Sequence, residues 1–317
     1  MFCLINTLLF HRETMLRLQR TAKPFLLAAR DSIAEFDFKL SLNHNVDNYS
    51  DGRLVAMIDI HSHILPGIDD GAADWEHSIA LARAAEEEGI TDLVATPHHY
   101  DGKYNNPIEI VHHLTEQLNE RLREQSIPLK VHQGQEIHIH HELLRNWQEG
   151  KLLGLAGSKY VLLEMPASHV PHAMEQMVYE LKLQDVHVVI AHPERNAEIV
   201  KSPDCLEDLI AAGAYAQVTS HSLLGGFGRG IERAAWTLSR RGLIHFVASD
   251  AHNLSWRGFR LKEAYERVTA EMGEEWSSYY EQNAHALLMN TELSSLPNEG
   301  QLKRIGGWGR IKSLFGN

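Results

Sequence analysis

Short apolar segments alternate with amphipathic segments along the chain from residue 57 onward. Each apolar segment is rich in β-branched residues and is bounded by polar or turn-forming residues, which predicts a strand. There are seven of them, at 57–60, 92–96, 129–137, 160–165, 186–191, 215–219 and 244–249. The amphipathic segments predict helices at 75–89, 107–125, 170–184, 204–214 and 229–242. Strands that alternate with helices indicate parallel β-α-β units, whose strands are buried on both faces.

The two ends of the chain lack this alternation. Residues 1–56 end in the polar stretch NHNVDNYSDGR, and we expect them to be a disordered extension or the product of a start codon upstream of the true one. The domain is then expected to span residues 57–290, followed by a basic amphipathic tail at 291–317. Apolar residues recur every three or four positions among lysines and arginines at 302–317. Such a segment can lie on an anionic membrane, with a disordered tail as the alternative.

The composition narrows the classes of partner. The net charge of −12 would repel nucleic acid, so we expect no nucleic-acid partner. Two cysteines, Cys3 and Cys205, are too few for a disulfide framework and suit a reducing cytoplasm. Neither is followed by arginine six positions later, so the phosphate-binding loop of thiol-based phosphatases is absent from the sequence. No apolar run reaches the ~18 residues that a membrane span needs.

Residues that can bind metal ions follow six of the seven predicted strands. They are His61, His63, His98, His99, Glu136, Glu164, His192, Glu194, Asp250 and His252. In a closed or nearly closed β/α barrel, the carboxyl ends of all the strands converge on one mouth, whereas an open sheet would spread these groups along an edge. Imidazole and carboxylate ligands without thiolates suit Mn²⁺, Fe²⁺ or Zn²⁺. About nine such ligands are enough for two or three ions.

The order of these motifs resembles that of the polymerase-and-histidinol-phosphatase (PHP) superfamily. The shared order is D-x-H-x-H at 59–63, T-P-H at 96–98, Glu136, Glu164, A-H-x-E-R at 191–195 and S-D-x-H at 249–252. More narrowly, the stretches MIDIHSHILPGIDDG, GQEI, IAHPER, QVTSHSLLGGFGR and ASDAHN are similar to the bacterial metal-dependent tyrosine-protein phosphatases of capsule and exopolysaccharide clusters, the CpsB/YwqE type. The likeness runs from Met57 to about residue 290.

The resemblance implies a fold and a set of metal ligands. The fold is an α/β fold, a distorted seven-stranded (β/α)7 barrel of the PHP type, and the cofactor is usually Mn²⁺ at three positions. The implied ligands are His61, His63, Glu136 and Asp250 for the first ion, Glu136, Glu164 and His192 for the second, and Asp70, His98 and His252 for the third. The family's spacing favours Asp70 over Asp69, although the residues alone leave either open. Asp59 would orient a ligand histidine.

The resemblance also implies a reaction and a partner. Arg195 matches the phosphate-binding arginine of a phosphatase that hydrolyses phosphotyrosine, and the substrate would be the tyrosine-rich tail of a bacterial tyrosine autokinase. Arg229 and Arg257 are further candidates for phosphate contact, and His99 or a metal-bound water for the general acid. The alternatives are a small-molecule phosphatase of the same superfamily, such as a histidinol-phosphate hydrolase, and a non-catalytic binding module. The residues identify neither the oligomeric state nor the cognate kinase.

Overall fold

The computed structural model describes residues 57–297. The extension predicted at 1–56 and the amphipathic segment predicted at 302–317 lie outside the described residues. The described strands are β1 Met57–Ser62, β2 Ile90–Ala95, β3 His98–His99, β4 Lys130–Gln133, β5 Glu136–His138, β6 Tyr160–Glu164, β7 His187–Ala191, β8 Tyr215–Thr219 and β9 Phe246–Ala248. Every predicted strand is therefore confirmed, and two of the predicted runs contain or adjoin a second short strand.

Helices lie between the strands, as the sequence pattern predicts. The α-helices are α1 Trp75–Glu88, α2 Ile108–Glu124, α3 Leu143–Gln148, α4 Met174–Lys182, α5 Ala197–Lys201, α6 Asp204–Ala212, α7 Ser220–Leu223, α8 Arg229–Arg240, α9 Leu261–Met272 and α10 Glu274–Leu288. Asp74 caps α1 by accepting a hydrogen bond from the His77 backbone N–H at 2.9 Å. The helix ends at Gly89, whose φ of 88° is the left-handed conformation that glycine adopts readily. No helix among residues 57–297 combines the length and the apolar character that crossing a membrane requires.

All the strand pairs among residues 57–297 are parallel, and the nine strands form two sheets. One sheet has the order β1-β2-β4 and the other the order β3-β5-β6-β7-β8-β9. The run predicted as one strand at 129–137 is interrupted at Gly134, where a Cβ atom would lie only 2.9 Å from Cγ1 of Val94. The backbone there approaches the neighbouring strand too closely for a side chain, so the chain shifts from the first sheet into the second.

The first strand and the segment after the last strand are hydrogen-bonded neighbours. The Asp250 backbone N–H donates to the His61 carbonyl at 2.9 Å, and the His63 N–H donates to the Ala251 carbonyl at 2.8 Å. Asp59 strengthens this junction, because its side chain accepts hydrogen bonds from the N–H and the hydroxyl of Ser249. The motifs that begin and end the predicted domain therefore lie side by side.

The core explains why the strands lack a hydrophobic–polar alternation. One face of the strands packs on the helices, and the other face forms a second apolar cluster that includes Ile60, Val94, Leu162, Val189 and Phe246. Both faces of each strand are therefore buried, which is the arrangement expected for parallel strands covered by helices. The polar residues are displaced to the carboxyl ends of the strands, where the apolar layers stop.

Candidate metal centre

Four side chains, two from β1 and the residue that follows it, one from the start of β5 and one from the segment after β9, direct nitrogen and oxygen atoms at one point. Nε2 of His61 and Nε2 of His63 lie 3.3 Å apart. Oε2 of Glu136 lies 3.4 Å from the first nitrogen and 3.3 Å from the second. Oδ1 of Asp250 lies 3.3 Å from each of them. All four residues are buried, so these donor atoms face one another and not the solvent.

The chemistry of these four donors fits a metal ion. An atom placed among donors at this spacing would lie about 2 Å from each, which is the usual metal–nitrogen distance in proteins. Oε2 of Glu136 and Oδ1 of Asp250 are buried and have no hydrogen-bond partner among the described residues. Buried carboxylate oxygens are normally hydrogen-bonded or bound to a cation. The grouping therefore suits a divalent cation with nitrogen and oxygen ligands.

A second grouping adjoins the first and includes the acidic residue that the sequence left undecided. Oδ1 of Asp70 lies 3.4 Å from Nε2 of His98 and 3.3 Å from Nε2 of His252. His63 lies in the same cluster, with its ring centroid 3.8 Å from that of His252. Asp69 instead contacts the outer nitrogen of His63, so the geometry favours Asp70 as the ligand.

A third grouping is built around the second oxygen of Glu136. Nε2 of His192 lies 2.8 Å from Oε1 of Glu136 and 3.8 Å from Oε1 of Glu164. Nδ1 of His98 lies 3.1 Å from Oε2 of Glu136, so His98 faces both the second and the third grouping. Glu136 thus has one oxygen in the first grouping and one beside His192, which is the arrangement of a bridging carboxylate. The structure brings all nine predicted ligands together, and their role as ligands stays a prediction.

Two of these residues have an unusual backbone conformation directly after a strand. His192 follows β7 with φ of 30°, and Asp250 lies two residues beyond the end of β9 with φ of 53°. Residues with a Cβ atom rarely adopt positive φ, because it carries a steric cost. Here the turn changes the direction of the chain at once, so that the side chain points into the cluster.

Two of the predicted ligand histidines have partners on their outer nitrogens. Nδ1 of His61 lies 3.1 Å from Oε1 of Gln217, and Nδ1 of His63 lies 2.8 Å from Oδ2 of Asp69. Such contacts fix the ring orientation and the tautomer of a metal-binding histidine. Asp59, which was predicted to perform this task, accepts hydrogen bonds from the His61 backbone N–H at 3.3 Å and from Ser249, so its role in orienting a ring stays a prediction. The Asp59 carboxylate lies at the junction between β1 and the segment after β9.

The electrostatics of the cluster favour bound positive charge. Burial alone would raise the pKa of the Glu136 carboxyl, but His61 and a hydrogen bond to His192 hold it well below its usual range. Burial opposes protonation of His98, yet Asp70 and Glu136 raise the pKa of its ring to about 9. The carboxylates therefore stabilise either protons on the imidazoles or metal cations in their place.

Two arginines share one oxygen of Asp250. Nη2 of Arg195 lies 2.7 Å from Oδ2 of Asp250, and Nη2 of Arg257 lies 2.6 Å from the same oxygen. The other carboxylate oxygen, Oδ1, faces His61 and His63. Arg195 also donates a hydrogen bond to Oγ1 of Thr219 at 2.7 Å, and its guanidinium lies 4.5 Å from the ring centroid of Phe227. Two cationic groups are thus positioned directly beside the metal donors, as an anionic substrate would require.

Two of the other predicted site residues, His99 and Arg229, differ in position. His99 follows His98 on β3 and therefore points to the opposite face, where its buried ring packs edge-on against Tyr100 at 5.1 Å. This placement argues against His99 as a general acid, and burial lowers its pKa to about 4. Arg229 is exposed at the first turn of α8. His138, which is not among the predicted ligands, is half-buried at the end of β5 with Nδ1 3.5 Å from Oε2 of Glu164.

The comparisons with known proteins agree with this site. The family model for capsular polysaccharide synthesis proteins, CpsB/CapC, matches residues 57–289. The chain belongs to the CpsB/CapC family. It is 45% identical over 248 residues to the tyrosine-protein phosphatase YwqE of Bacillus subtilis, which covers 78% of this chain and 98% of YwqE. The identity to the tyrosine-protein phosphatase CpsB of Streptococcus agalactiae serotype III is 27% over 241 residues, 74% of this chain and 99% of CpsB.

A solved structure within this CpsB/CapC family is also similar. It comes from the work on YwqE from Bacillus subtilis and CpsB from Streptococcus pneumoniae, described as unique metal-dependent tyrosine phosphatases. The TM-score is 0.74 at 46% sequence identity, and the alignment covers 76% of this chain and 98% of the other. The resemblance inferred from the motifs is confirmed, and the relatives are metal-dependent tyrosine phosphatases.

Proposed function

We propose that this chain is a metal-dependent protein-tyrosine phosphatase. The observation that carries the proposal is the position of Arg195, whose guanidinium contacts the outer oxygen of Asp250 while the inner oxygen faces His61 and His63. A phosphoryl group bound by Arg195 would therefore lie next to the metal donors. The relatives of this chain at 45% and 27% identity are tyrosine-protein phosphatases, which supports phosphotyrosine as the substrate.

The proposal includes three ions, with Mn²⁺ as the metal and Fe²⁺ and Zn²⁺ as alternatives. The first ion is assigned to the first grouping, His61, His63, Glu136 and Asp250. The second ion is assigned to the third grouping, Glu136, Glu164 and His192, and the third ion to the second grouping, Asp70, His98 and His252. When bound, such ions supply an activated water and positive charge near the phosphoryl oxygens. We further propose that the two sheets form a distorted seven-stranded barrel, in which β2 with β3 and β4 with β5 each count as one interrupted strand. The hydrogen bonds between β1 and the segment after β9 support this proposal.

The chain's own groups would position the substrate. Hydrolysis of a phosphate monoester spreads negative charge over the phosphoryl oxygens, so catalysis depends on positioning and on electrostatic stabilisation. Arg195 and Arg257 present cationic groups at one edge of the donor cluster, and Thr219 holds the guanidinium of Arg195. Nε of each arginine is buried and lacks a hydrogen-bond partner among the described residues. A phenolate is a good leaving group and needs little protonation.

The proposed partner is a bacterial tyrosine autokinase that controls capsule or exopolysaccharide synthesis. The family description, capsular polysaccharide synthesis, supports this setting. Because tyrosine phosphorylation consumes ATP, the proposed compartment is the cytoplasm. Contact of the 302–317 segment with an anionic membrane remains a prediction from its sequence.

The proposed function is tested by hydrolysis assays on the full chain. The substrates are a phosphotyrosine peptide and histidinol phosphate, each assayed with Mn²⁺ and with EDTA. We expect turnover of the peptide that EDTA abolishes and that Arg195→Ala lowers by about 100-fold or more, as for loss of a group that stabilises the transition state. Arg123→Ala, which removes an exposed arginine of α2, is the matched control. Turnover of histidinol phosphate alone would assign the chain to the small-molecule phosphatases, and turnover of neither substrate would overturn the proposal.

A further inference from the structure

Phe227 is an aromatic residue that neither the metal donors nor the phosphate contacts account for. It lies in the glycine-rich segment between α7 and α8, and its side chain is half-buried. The guanidinium carbon of Arg195 lies 4.5 Å from the centroid of its ring. The Phe227 ring therefore packs against the proposed phosphate-binding arginine, and the residue remains partly exposed to solvent.

The surrounding backbone holds this ring in place. Gly225 and Gly228 have φ of 76° and 92°, in the left-handed region that glycine adopts readily. The Gly226 N–H donates to the His221 carbonyl at 2.8 Å, and a Cβ at Gly226 would lie 2.9 Å from Cδ2 of His221. The ring of His221 itself lies 5.7 Å from that of Phe227. The turn is therefore tight, and it directs Phe227 back toward Arg195.

The position of the ring relative to the phosphoryl group indicates what it contacts. Three oxygens of a bound phosphoryl group would face the metal donors and the arginines, and the ester oxygen would point toward the mouth. The first group attached to that ester oxygen would lie beside the exposed part of Phe227. In an aryl phosphate that group is an aromatic ring, and rings pair favourably in offset or edge-to-face arrangements with centroids 4.5–7 Å apart.

We propose that Phe227 is a specificity-determining residue that receives the aromatic ring of the ester and selects aryl over alkyl phosphates. The inference rests on the proposed function and names a residue that chooses among phosphate esters. Arg195 is held by Asp250, Thr219 and Phe227 together. Phe227 thus serves two groups, the cation that binds the phosphate and the ring attached to it. Serine and threonine phosphates, which are alkyl esters, would gain nothing from this contact.

The alternative role of Phe227 is only to hold Arg195, and the two roles make different predictions. A residue that only holds the arginine would affect all phosphate esters equally. A residue that also binds the ring would affect aryl esters more strongly than alkyl esters. Because aryl esters are intrinsically more reactive, the informative quantity is the change in the aryl-to-alkyl ratio of kcat/KM between variants.

The experiment compares the wild-type chain with Phe227→Leu, which keeps apolar bulk without a ring, and Phe227→Tyr, which keeps the ring. Substrates are phenyl phosphate, a phosphotyrosine peptide and a phosphoserine peptide, and the binding of phenylphosphonate and methylphosphonate is measured separately. We expect Phe227→Leu to weaken phenylphosphonate binding and to lower the aryl-to-alkyl ratio by about 3- to 10-fold, the range of one aromatic pair. Phe227→Tyr should stay within about 2-fold of wild type.

Control measurements distinguish failure of the inference about Phe227 from failure of the proposed function. Tyr179→Leu, which removes an exposed aromatic ring from α4, should leave every ratio unchanged. Measurements of metal content and of the thermal unfolding midpoint check that Phe227→Leu is folded and binds as much metal as wild type. Equal losses for aryl and alkyl ligands would overturn the inference and leave Phe227 as a support for Arg195. A wild-type chain that neither hydrolyses phosphotyrosine nor binds either phosphonate would instead overturn the proposed function itself.

Discussion

The Nε2 atoms of His61 and His63 face each other at a distance of 3.3 Å, with carboxylate oxygens of Glu136 and Asp250 equally close to both. Two unprotonated imidazole nitrogens have no hydrogen to share, so their lone pairs repel unless a cation lies between them. The arrangement therefore ties the stability of the fold to metal binding. A ligand that binds only the folded state raises its stability by mass action.

We accordingly expect chelation to lower the thermal unfolding midpoint. Free metal at 100 times its dissociation constant would raise the free energy of unfolding by about 2.7 kcal/mol per site. The measurement is thermal unfolding in EDTA and in a Mn²⁺ titration, followed by metal analysis of the desalted protein. His61→Ala combined with His63→Ala serves as the reference, because it removes two donors from the first grouping. An identical response of that variant and wild type would contradict the assignment.

Replacing Asp69 and replacing the neighbouring Asp70 should have different effects on metal binding. Asp69 lies 2.8 Å from Nδ1 of His63 and accepts a hydrogen bond from the Gly71 N–H, so it orients a ligand without being one. Asp69→Asn should lower metal affinity by about 10- to 100-fold, the usual cost of losing such a partner. Asp70→Asn should remove one of the bound metal equivalents, since Asp70 faces His98 and His252 directly.

Metal titration by calorimetry distinguishes these two outcomes, because one variant changes affinity and the other changes stoichiometry. Asp74→Asn, an exposed substitution at the α1 cap, is the matched control for the loss of one negative charge nearby. Loss of a whole equivalent in Asp69→Asn, with an intact Asp70→Asn, would reverse the two roles.

Gly71 should tolerate no side chain. A Cβ there would lie 2.0 Å from the His63 carbonyl oxygen and 2.4 Å from the His63 Cβ, so the backbone of a ligand residue would have to move. Gly71→Ala should therefore lower the free energy of unfolding by about 1–3 kcal/mol or more and also weaken metal binding. Gly230→Ala is the control, because a Cβ at Gly230 meets nothing within 4 Å. Urea denaturation measures the free energy of unfolding of both variants. Equal values would contradict the close contact between Gly71 and His63.

The protein should lose stability in mild acid partly through His245. Burial lowers the pKa of this ring to about 4 from an ordinary value near 6.5. The unfolded chain therefore binds more protons than the folded chain between these values. The stability that the neutral ring supports is present above about pH 6.5, and up to about 3 kcal/mol is lost as the pH falls toward 4.

Replacement with asparagine tests this contribution of His245. In His245→Asn, the amide oxygen can still accept the hydrogen bond that the Ala216 N–H gives to Nδ1 at 3.2 Å, but the side chain does not titrate. Urea denaturation of both proteins in EDTA, from pH 4.5 to 7.5, should show a shallower pH dependence for the variant. Parallel curves for the two proteins would mean that His245 does not contribute.

The sequence predicted the strands and most of the donor set for a physical reason. Apolar runs buried on both faces end where polar groups can meet solvent or metal, so the end of β7 between Ala191 and His192 was readable, whereas β1 continues through His61 to Ser62. The same continuity hid Gln217, which lies inside an apolar strand, because a run without alternation does not show which side chains point inward. Only the structure places its amide oxygen beside the His61 ring.

Other features depend on geometry that spacing does not encode. The position of Arg257 on Asp250 requires the loop that Asn253 closes, whose side-chain oxygen accepts hydrogen bonds from the Ser255 and Trp256 N–H groups. His99 could be placed only once the direction of β3 was known, because neighbouring residues of a strand point to opposite faces. The choice between Asp69 and Asp70 depended on which carboxylate reached the outer nitrogen of His63.

The junction between Asp59 and Ser249 joins residues 190 positions apart. This separation determines when the junction can form during synthesis of the chain. Such long-range contacts form late, because the intervening chain must first become compact. A nascent chain on the ribosome carries His61 and His63 long before it carries Asp250 and His252. The complete set of donors therefore exists only after the last strand has emerged. Until then, the candidate donor cluster lacks Asp250 and His252.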